Sequence, residues 1–398
     1  MLPRENFLSL YRRQGYEAAP VGMHFCPDLE KAFARRHPEA NGDYLSFFGA
    51  PYRIIYDPGF AWNFDEVWRI PGRGRNGDRR SEVGGRKAED GKREETGGIT
   101  LDWHRFYPNG FTHAVKFDGW GVAHEESPDA HHMTRMHHPL AQAASLHELE
   151  AYPWPDFERL DFSYLRPAVE AIHAKGLAVF VWAECTVWET AWYLRSMENL
   201  FVDMACDEKM ATCLFDIITD RACFRAKKFA EADADILGLG DDIGMQSAPL
   251  MSAEMYRAWL KPRLARVIAA AKAAKPDILI SYHSCGYVVP FIDDLIEAGV
   301  DILNPVQPEC MDFAELHAKY GDRLSFSGTI GTQRLMPYGT PQQVRDEVRR
   351  NLKIAGPKGG LFCCPTHMLE PEVPWENVEA YVEAVRDFAS EPNCSRGA

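Results

Sequence analysis

The chain has 398 residues, of which 46% are hydrophobic and 26% charged, so it can bury a large core. Its formal net charge of −14 at pH 7 disfavours a nucleic-acid backbone or an anionic membrane surface as a partner. No apolar run approaches the roughly 18 residues that span a bilayer, and residues 1–20 lack the apolar core of a signal peptide. The sequence therefore predicts a cytoplasmic protein, with a homodimer as one option.

The N-terminal third of the chain shows no clear periodicity. Residues 20–70 combine aromatics and prolines with short apolar runs, which predicts an irregular extension. Residues 72–98 contain almost no apolar side chain, so we expect a disordered surface insertion there. Residues 130–138, AHHMTRMHH, hold four histidines, but they precede Pro139 in an apparent loop. We interpret this stretch as a surface or substrate-cover segment and not as a metal site.

From about residue 165 helical patterns alternate with short, continuous apolar runs. The predicted strands are 177–184, 234–242, 277–285, 300–308, 323–331 and 359–367. The predicted helices are 165–176, 187–231 (two helices broken near residue 205), 251–275, 288–299, 313–321, 340–356 and 375–389. Gly176 and Gly299 are the expected helix ends, Pro262 is expected near a helix start or kink, and Thr340 is the expected cap.

This alternation indicates βαβ units and a parallel sheet that is covered on both faces. A doubly wound sheet is the rival architecture, but no glycine-rich phosphate turn follows an early strand. We therefore predict a (β/α)8 TIM barrel that forms a single domain over residues 1–398, with an irregular N-terminal extension.

The predicted strands all become polar at the same end, which is the end that carries the active site in a (β/α)8 barrel. The side chains at these strand ends include metal ligands, acids and amides. They are Glu184 and Cys185, Asp241 and Asp242, His283 and Cys285, Asn304 and Gln307, Ser327 and Thr329, and Cys363, Cys364 and His367. We expect them to converge on a single site.

Imidazole and thiol groups in this set point to a metal. His283 and Cys285 lie on one face of an extended segment, because side chains alternate along a strand. A third ligand from the last strand, Cys364 or His367, would give zinc three protein ligands and an open position. Cys363 and Cys364 point to opposite faces, so at most one of them can be a ligand.

The neighbouring carboxylates have two interpretations each. Asp241 and Asp242 would complete the metal shell or hold a histidine proton, but a helix N-cap or an Asx turn also uses such residues. Glu184 is either part of the site or the partner of a structural arginine.

Four segments resemble the uroporphyrinogen decarboxylase superfamily: residues 240–264, 282–308, 325–333 and 359–385. The resemblance covers residues 140–390 and implies the same barrel fold. His283 and Cys285 are similar to the zinc pair of its cobamide-dependent methyltransferase branch, in which a later cysteine completes the site. His367 stands where that branch has the cysteine, and Cys364 lies three residues earlier. Either residue can be the third ligand, with His367 slightly favoured.

The resemblance implies a zinc-dependent methyltransferase that acts in demethylation with a corrinoid (cobalamin) on a separate protein. Asp241 or Asp242 would then orient the substrate, and Glu184 would donate a proton to the leaving group. The substrate-binding candidates are Asn304, Gln307 and Tyr282.

Two rival functions follow from the same resemblance. The first is a metal-independent decarboxylase, in which Asp242 stabilises a developing cation beside His367. The arginine-rich N-terminal signature that binds porphyrinogen carboxylates is not evident in this chain, which disfavours that substrate. The second is a non-catalytic barrel that binds a corrinoid or a porphyrin-like ligand.

Overall fold

The computed structural model describes residues 1–57, 103–126 and 134–388. The predicted insertion at 72–98 lies outside the described residues, as do His131 and His132. The chain divides into two compact units. The large unit comprises Met1–Asp57, Asp156–Ala191 and Ala211–Ala398, and the small unit comprises Pro58–Pro155 and Trp192–Met210.

Ten strands are found in the described part of the chain. They are β1 (Tyr52–Tyr56), β2 (Val115–Phe117), β3 (Ala123–Glu126), β4 (Thr134–His137), β5 (Ala178–Trp182), β6 (Ile236–Gly240), β7 (Leu279–His283), β8 (Ile302–Asn304), β9 (Ser325–Ser327) and β10 (Leu361–Phe362). All six strands predicted after residue 165 are confirmed, and β1 is a strand that the sequence analysis missed.

Fifteen α-helices are found in the same described residues. They are α1 (Pro3–Tyr11), α2 (Pro27–Arg36), α3 (Tyr44–Phe48), α4 (Leu146–Glu150), α5 (Leu165–His173), α6 (Trp188–Arg195), α7 (Met197–Cys206), α8 (Glu208–Glu231), α9 (Ala253–Trp259), α10 (Lys261–Ala274), α11 (Ile292–Ala298), α12 (Phe313–Tyr320), α13 (Leu335–Tyr338), α14 (Pro341–Ala355) and α15 (Trp375–Phe388).

Local sequence signals set several helix starts and ends where they were predicted. Thr340 caps α14 by accepting a hydrogen bond from the Gln343 backbone N–H, and Gly299 ends α11 in the left-handed region. Pro262 occupies the first turn of α10, where its missing N–H costs nothing. The stretch 187–231 was predicted as two helices, which is wrong: it forms α6, α7 and α8.

The large unit is built on a seven-stranded parallel sheet in the order β1-β5-β6-β7-β8-β9-β10. After β1 each strand pairs with the next strand of this sheet along the chain, as in a TIM barrel. Both faces are covered, since Val179 and Val181 of β5 are fully buried and all of β6 is buried. In the described residues the sheet is therefore TIM-barrel-like with seven paired strands, and the complete eight-stranded barrel that was predicted is not confirmed.

The N-terminal extension is part of the large unit and is more regular than predicted. A Cβ atom at Gly22 would lie 2.5 Å from the ring of Phe362 in β10 and 2.9 Å from that of Tyr52 in β1. Phe25, three residues later, forms an isolated parallel bridge with Leu369. The segment thus runs close to both edge strands of the sheet. Helix α1 also packs on them, with Phe7 stacked 5.5 Å from Tyr52.

The small unit contains a three-stranded antiparallel sheet in the order β2-β3-β4. Strand β4 occupies Thr134–His137, so the prediction of a loop before Pro139 is wrong for these residues. Within this unit Arg195 forms a buried ion pair with Asp203 and donates to the backbone oxygens of Leu140 and Ala143. In the described part of the chain no helix combines the length and apolarity that crossing a membrane requires.

Candidate metal centre at the strand ends

His283, Cys285 and His367 converge at the carboxyl end of the parallel sheet. His283 is the last residue of β7, and Cys285 follows two residues later on the same face. The His283 Nε2 atom lies 3.5 Å from the Cys285 Sγ atom. In the described residues these three side chains form the one group suited to a metal, with their ligand atoms all within 4.8 Å of one another. We call this group the His–Cys–His cluster.

Asn304 fixes the orientation of the His283 ring. Its Oδ1 atom lies 2.7 Å from His283 Nδ1, and its Nδ2 atom donates to the Ser327 hydroxyl at 3.2 Å. Since the Asn304 oxygen can only accept, His283 carries a proton on Nδ1, and its Nε2 atom faces Cys285. Metal-binding histidines are commonly held in this way by a second hydrogen bond.

Two polar side chains hold the loop that carries Cys285. The Cys285 backbone N–H donates to Asp242 Oδ1 at 2.7 Å, and the Gly286 N–H donates to Gln307 Oε1 at 3.0 Å. Gly286 has a φ of +85°, and a Cβ atom there would lie 2.7 Å from the carbonyl carbon of Gly244. The loop therefore requires glycine at this position. Asp242 and Gln307 thus both hold the loop that brings Cys285 to the cluster.

Glu184 lies beside the cluster as well. Its Oε1 atom is 3.7 Å from His283 Nδ1, and only 13% of its side chain is exposed. Burial raises the pKa of Glu184 to about 7, against the lowering effect of the His283 charge, and the nearby charge of Asp242 raises it further. A hydrogen bond with Trp182 has a smaller lowering effect on this pKa. Glu184 therefore exists partly as the carboxylic acid and partly as the carboxylate near neutral pH.

Asp241 and Asp242 are adjacent but have different surroundings. The Asp241 carboxylate is buried and accepts hydrogen bonds from the backbone N–H groups of Val187, at 3.1 Å, and Glu189, at 2.9 Å. Burial, followed by the charge of Glu189, raises the pKa of Asp241 well above its ordinary value. Asp241 thus caps the start of α6 from a distant segment of the chain. No helix begins at Asp241 itself, so this is not the local N-cap that the sequence offered.

The candidates Tyr282 and Cys364 lie in packed surroundings. Tyr282 is buried, and its hydroxyl donates to the Asp241 backbone oxygen at 3.4 Å. Cys364 is buried with its Sγ atom 3.7 Å from the Ser327 hydroxyl, and burial raises the pKa of its thiol to about 12. Cys363 also lies in the core, where the Thr329 hydroxyl donates to its sulfur at 3.7 Å. Between the two alternatives for a third ligand, the structure groups His367 with His283.

His24 is a residue near the cluster that the sequence analysis missed. Burial lowers its pKa to about 4, with smaller contributions from the charges of His367 and His283. Its ring stands edge-on to Trp182, with centroids 5.2 Å apart. Little in the sequence pointed to His24, because it lies in a short apolar run within a region that shows neither helix nor strand periodicity. Trp182 was missed as well, although strand alternation places it on the same face as Glu184 and could have identified it.

These features define a TIM-barrel-like α/β protein with a candidate metal centre at the carboxyl ends of its strands. The family model for uroporphyrinogen decarboxylase (URO-D) matches residues 127–388, which is well over half of the chain. The chain belongs to this family.

Curated relatives include members with two different activities. The chain is 28% identical to a methylated-thiol–coenzyme M methyltransferase of Methanosarcina mazei, over 50% of each protein. It is 27% identical to the uroporphyrinogen decarboxylase of Chlorobaculum tepidum, over 46% of this chain and 50% of the relative. The chain thus spans about half the length of these two relatives.

A solved methyltransferase from Methanosarcina mazei has a similar fold. Its TM-score is 0.52 at 22% sequence identity, over 64% of this chain and 72% of that chain. At this identity the likeness supports the fold alone.

Proposed function

We propose that the protein is a zinc-dependent methyltransferase of the uroporphyrinogen decarboxylase family. It moves a methyl group between a small methylated compound or thiol and a corrinoid carried by a separate protein. The observation that carries the proposal is the His–Cys–His cluster, whose ligand atoms lie within 4.8 Å of one another. The methyltransferase relative adds support, since 28% identity over half of each chain extends the likeness beyond single motifs.

The chemistry of the cluster fits zinc. Two imidazole nitrogens and one thiolate sulfur are the ligand types that Zn²⁺ prefers, and three protein ligands leave a position open for a substrate atom. The hydrogen bond from His283 to Asn304 leaves the other ring nitrogen available for the metal. When bound, zinc would supply Lewis acidity that keeps a substrate thiol deprotonated.

The residues around the cluster would position the substrate and manage a proton. When the bond between the methyl carbon and an oxygen or sulfur breaks, the electron pair stays on the oxygen or sulfur. Glu184, 3.7 Å from His283 and with a pKa of about 7, would give that atom its proton. Asp242 and Gln307 would keep Cys285 in place through the backbone of its loop.

The test combines metal analysis with a transfer assay. Purified protein is incubated with methylcobalamin and a small thiol, and the methyl thioether is measured before and after treatment with a chelator. We expect about one zinc per chain and a rate that is lost with the metal and restored by Zn²⁺. Active protein that contains no metal would rule out the zinc mechanism.

A metal-independent decarboxylase is the second candidate, favoured by the match to the Chlorobaculum tepidum enzyme. Under this alternative Asp242 stabilises a developing positive charge, and chelation leaves CO₂ release from a porphyrinogen unchanged. The presence of a thiol in the cluster supports methyl transfer instead, because a decarboxylase of this kind has no need of Cys285.

A further inference from the structure

His367 is placed by a different part of the chain from the other two ligands of the His–Cys–His cluster. His283 ends β7, and Cys285 stands on the loop that follows this strand. His367 lies beyond the end of β10 (Leu361–Phe362), a two-residue strand at the edge of the sheet. We define the His367 loop as residues 363–369. Because so short a strand constrains little of the chain that follows it, the contacts of this loop decide whether the third ligand is in place.

The part of the loop before His367 is held by the segment that follows β9. The Thr366 N–H donates to the Ile330 oxygen at 2.9 Å, and the Thr332 N–H donates to the Thr366 hydroxyl at 3.3 Å. Pro365 also forms an isolated parallel bridge with Ile330. The pairing of β9 with β10 thus continues up to the residue before the ligand.

The part of the loop after His367 is held by residues 22–26 of the N-terminal extension. The Leu369 N–H donates to the His24 oxygen at 2.8 Å, and the Cys26 N–H donates to the Leu369 oxygen at 3.0 Å. Leu369 is fully buried, whereas His367 is exposed. The ligand therefore lies on a short exposed stretch between two backbone anchors, and the second anchor is the 22–26 segment.

A buried tyrosine joins the 22–26 segment to the start of the loop. The Tyr381 hydroxyl lies 3.0 Å from the Gly22 oxygen and 3.1 Å from the Cys363 oxygen, and it accepts a hydrogen bond from the Gly22 N–H at 3.3 Å. Tyr381 is completely buried, so no solvent competes for these backbone groups. Removal of the hydroxyl would leave them without this partner in the core, which favours a displacement of the segment.

We propose that the 22–26 segment positions the metal ligand His367, with Tyr381 as the side chain that fixes the segment to the loop. This role rests on the zinc site proposed above. It adds a part of the chain that lies outside the family match, which begins at residue 127. Displacement of the segment breaks its two hydrogen bonds with Leu369 and lets the His367 loop move away from the other two ligands. Zinc is then held by two protein ligands in place of three and binds more weakly.

The test measures metal binding by the full chain with Tyr381→Phe, which removes only the hydroxyl. We expect the Zn²⁺ affinity to fall roughly tenfold, an effect typical of residues that orient metal ligands, and the Co²⁺ absorption spectrum to change. Tyr320→Phe is the matched control, because Tyr320 is also buried but its hydroxyl lies 3.2 Å from Asp293 of α11. This control should lower stability and leave both metal readouts unchanged.

Gly22→Ala is the second variant in case Tyr381→Phe fails to fold. A Cβ atom at this position would meet the rings of Phe362 and Tyr52 and push the segment away from the strands. Both variants should also speed hydrogen–deuterium exchange in peptides over residues 363–369 of the metal-free chain, since the Leu369 N–H loses its acceptor. This second readout does not depend on metal binding.

Unchanged zinc affinity and an unchanged Co²⁺ spectrum in variants whose loop exchanges faster would overturn the proposal. Unchanged exchange of residues 363–369 in both variants would overturn it as well. An unmodified chain that binds neither Zn²⁺ nor Co²⁺ would instead reject the proposed zinc-dependent function. Faster exchange in the variants would in that case still show that the 22–26 segment holds the His367 loop.

Discussion

Histidines cluster in both units of the molecule, but they face different partners. In the small unit His137 Nε2 lies 2.7 Å from Glu125, and His124 Nε2 lies 3.3 Å from Asp118. In the large unit His283 is held on one side by Asn304 and turns its other nitrogen to Cys285. The difference shows that the number of histidines in a segment does not mark a metal site. What matters is whether their lone pairs converge or are already engaged with carboxylates.

The carboxylate that pairs with His137 is itself held by the backbone. Glu125 accepts hydrogen bonds from the N–H groups of His113 and Thr112, both at 2.5 Å. These bonds, with that of His113 contributing most, and the bond to His137 lower the pKa of Glu125 to about 2. The pair therefore fastens the turn before β2 to β3 and β4, a structural function. Substitutions in this pair and in the candidate metal centre should therefore have different effects.

The largest expected effect comes from removing one histidine in each unit. His283→Ala should abolish zinc binding and the proposed transfer activity, because two ligands bind zinc far more weakly than three. His137→Ala should leave the zinc content unchanged. Elemental analysis of the two purified variants measures this contrast. A loss of zinc in His137→Ala but not in His283→Ala would reverse the assignment.

The identity of the third ligand is tested by a second pair of variants. His367→Ala should lose zinc, since this side chain completes the cluster. Cys364→Ala should keep it, because that thiol is buried against Ser327 and burial disfavours its thiolate. Co²⁺ substitution followed by absorption spectroscopy reads out the ligand set directly. A spectrum altered by Cys364→Ala but not by His367→Ala would contradict the assignment.

A smaller effect is expected when Asn304, the hydrogen-bond partner of His283, is replaced. Asn304→Ala removes the acceptor for the Nδ1 proton and should weaken zinc affinity by roughly 10–100-fold. Asn304→Asp keeps an acceptor at that position and is the matched control. Competition with a chromophoric chelator gives both affinities. Equal zinc affinity in Asn304→Ala and the unmodified chain would show that this hydrogen bond does not support the metal.

Substitutions of the adjacent residues Asp241 and Asp242 should affect stability and metal binding to different extents. Asp241→Ala leaves the buried N–H groups of Val187 and Glu189 without their acceptor, which should lower the free energy of unfolding by about 1–3 kcal/mol. Asp242→Ala frees the Cys285 loop and should lower zinc affinity with a smaller loss of stability. Denaturant unfolding and chelator competition on both variants measure the two quantities. The same response from both variants would refute this division of roles.

The smallest expected effect is the pH dependence of the stability of the small unit. The pKa of Glu125 is about 2 in the folded chain, below its ordinary value of 4.5. A depressed pKa contributes stability above the ordinary value, and this stability is lost as the pH falls from 4.5 to about 2. The difference in unfolding temperature between the unmodified chain and Glu125→Gln should therefore shrink over this window. A constant difference would show that the Glu125 carboxylate does not stabilise the fold by its charge.

Much of the large unit could be predicted because its strands and helices depend on neighbouring residues. The apolar run of β6 and the capping residue Thr340 identify their elements without reference to the rest of the chain. The strand β1 was missed because Tyr52–Tyr56 lies among aromatics and prolines that show no period. The site was predicted in part. His283 and Cys285 are two residues apart, so strand geometry alone put them on one face.

The sequence by itself determined the alternation of strands and helices, the carboxyl end at which the candidate metal centre lies, and the pair His283 and Cys285. Only the tertiary structure decided that His367 and not Cys364 joins that pair, that Asp241 caps a helix while Asp242 holds the Cys285 loop, and that His24 lies close by. The physical reason is the range of the interactions. Periodicity and capping act over a few residues, whereas the partner of a buried polar group is set by packing between segments far apart in the chain.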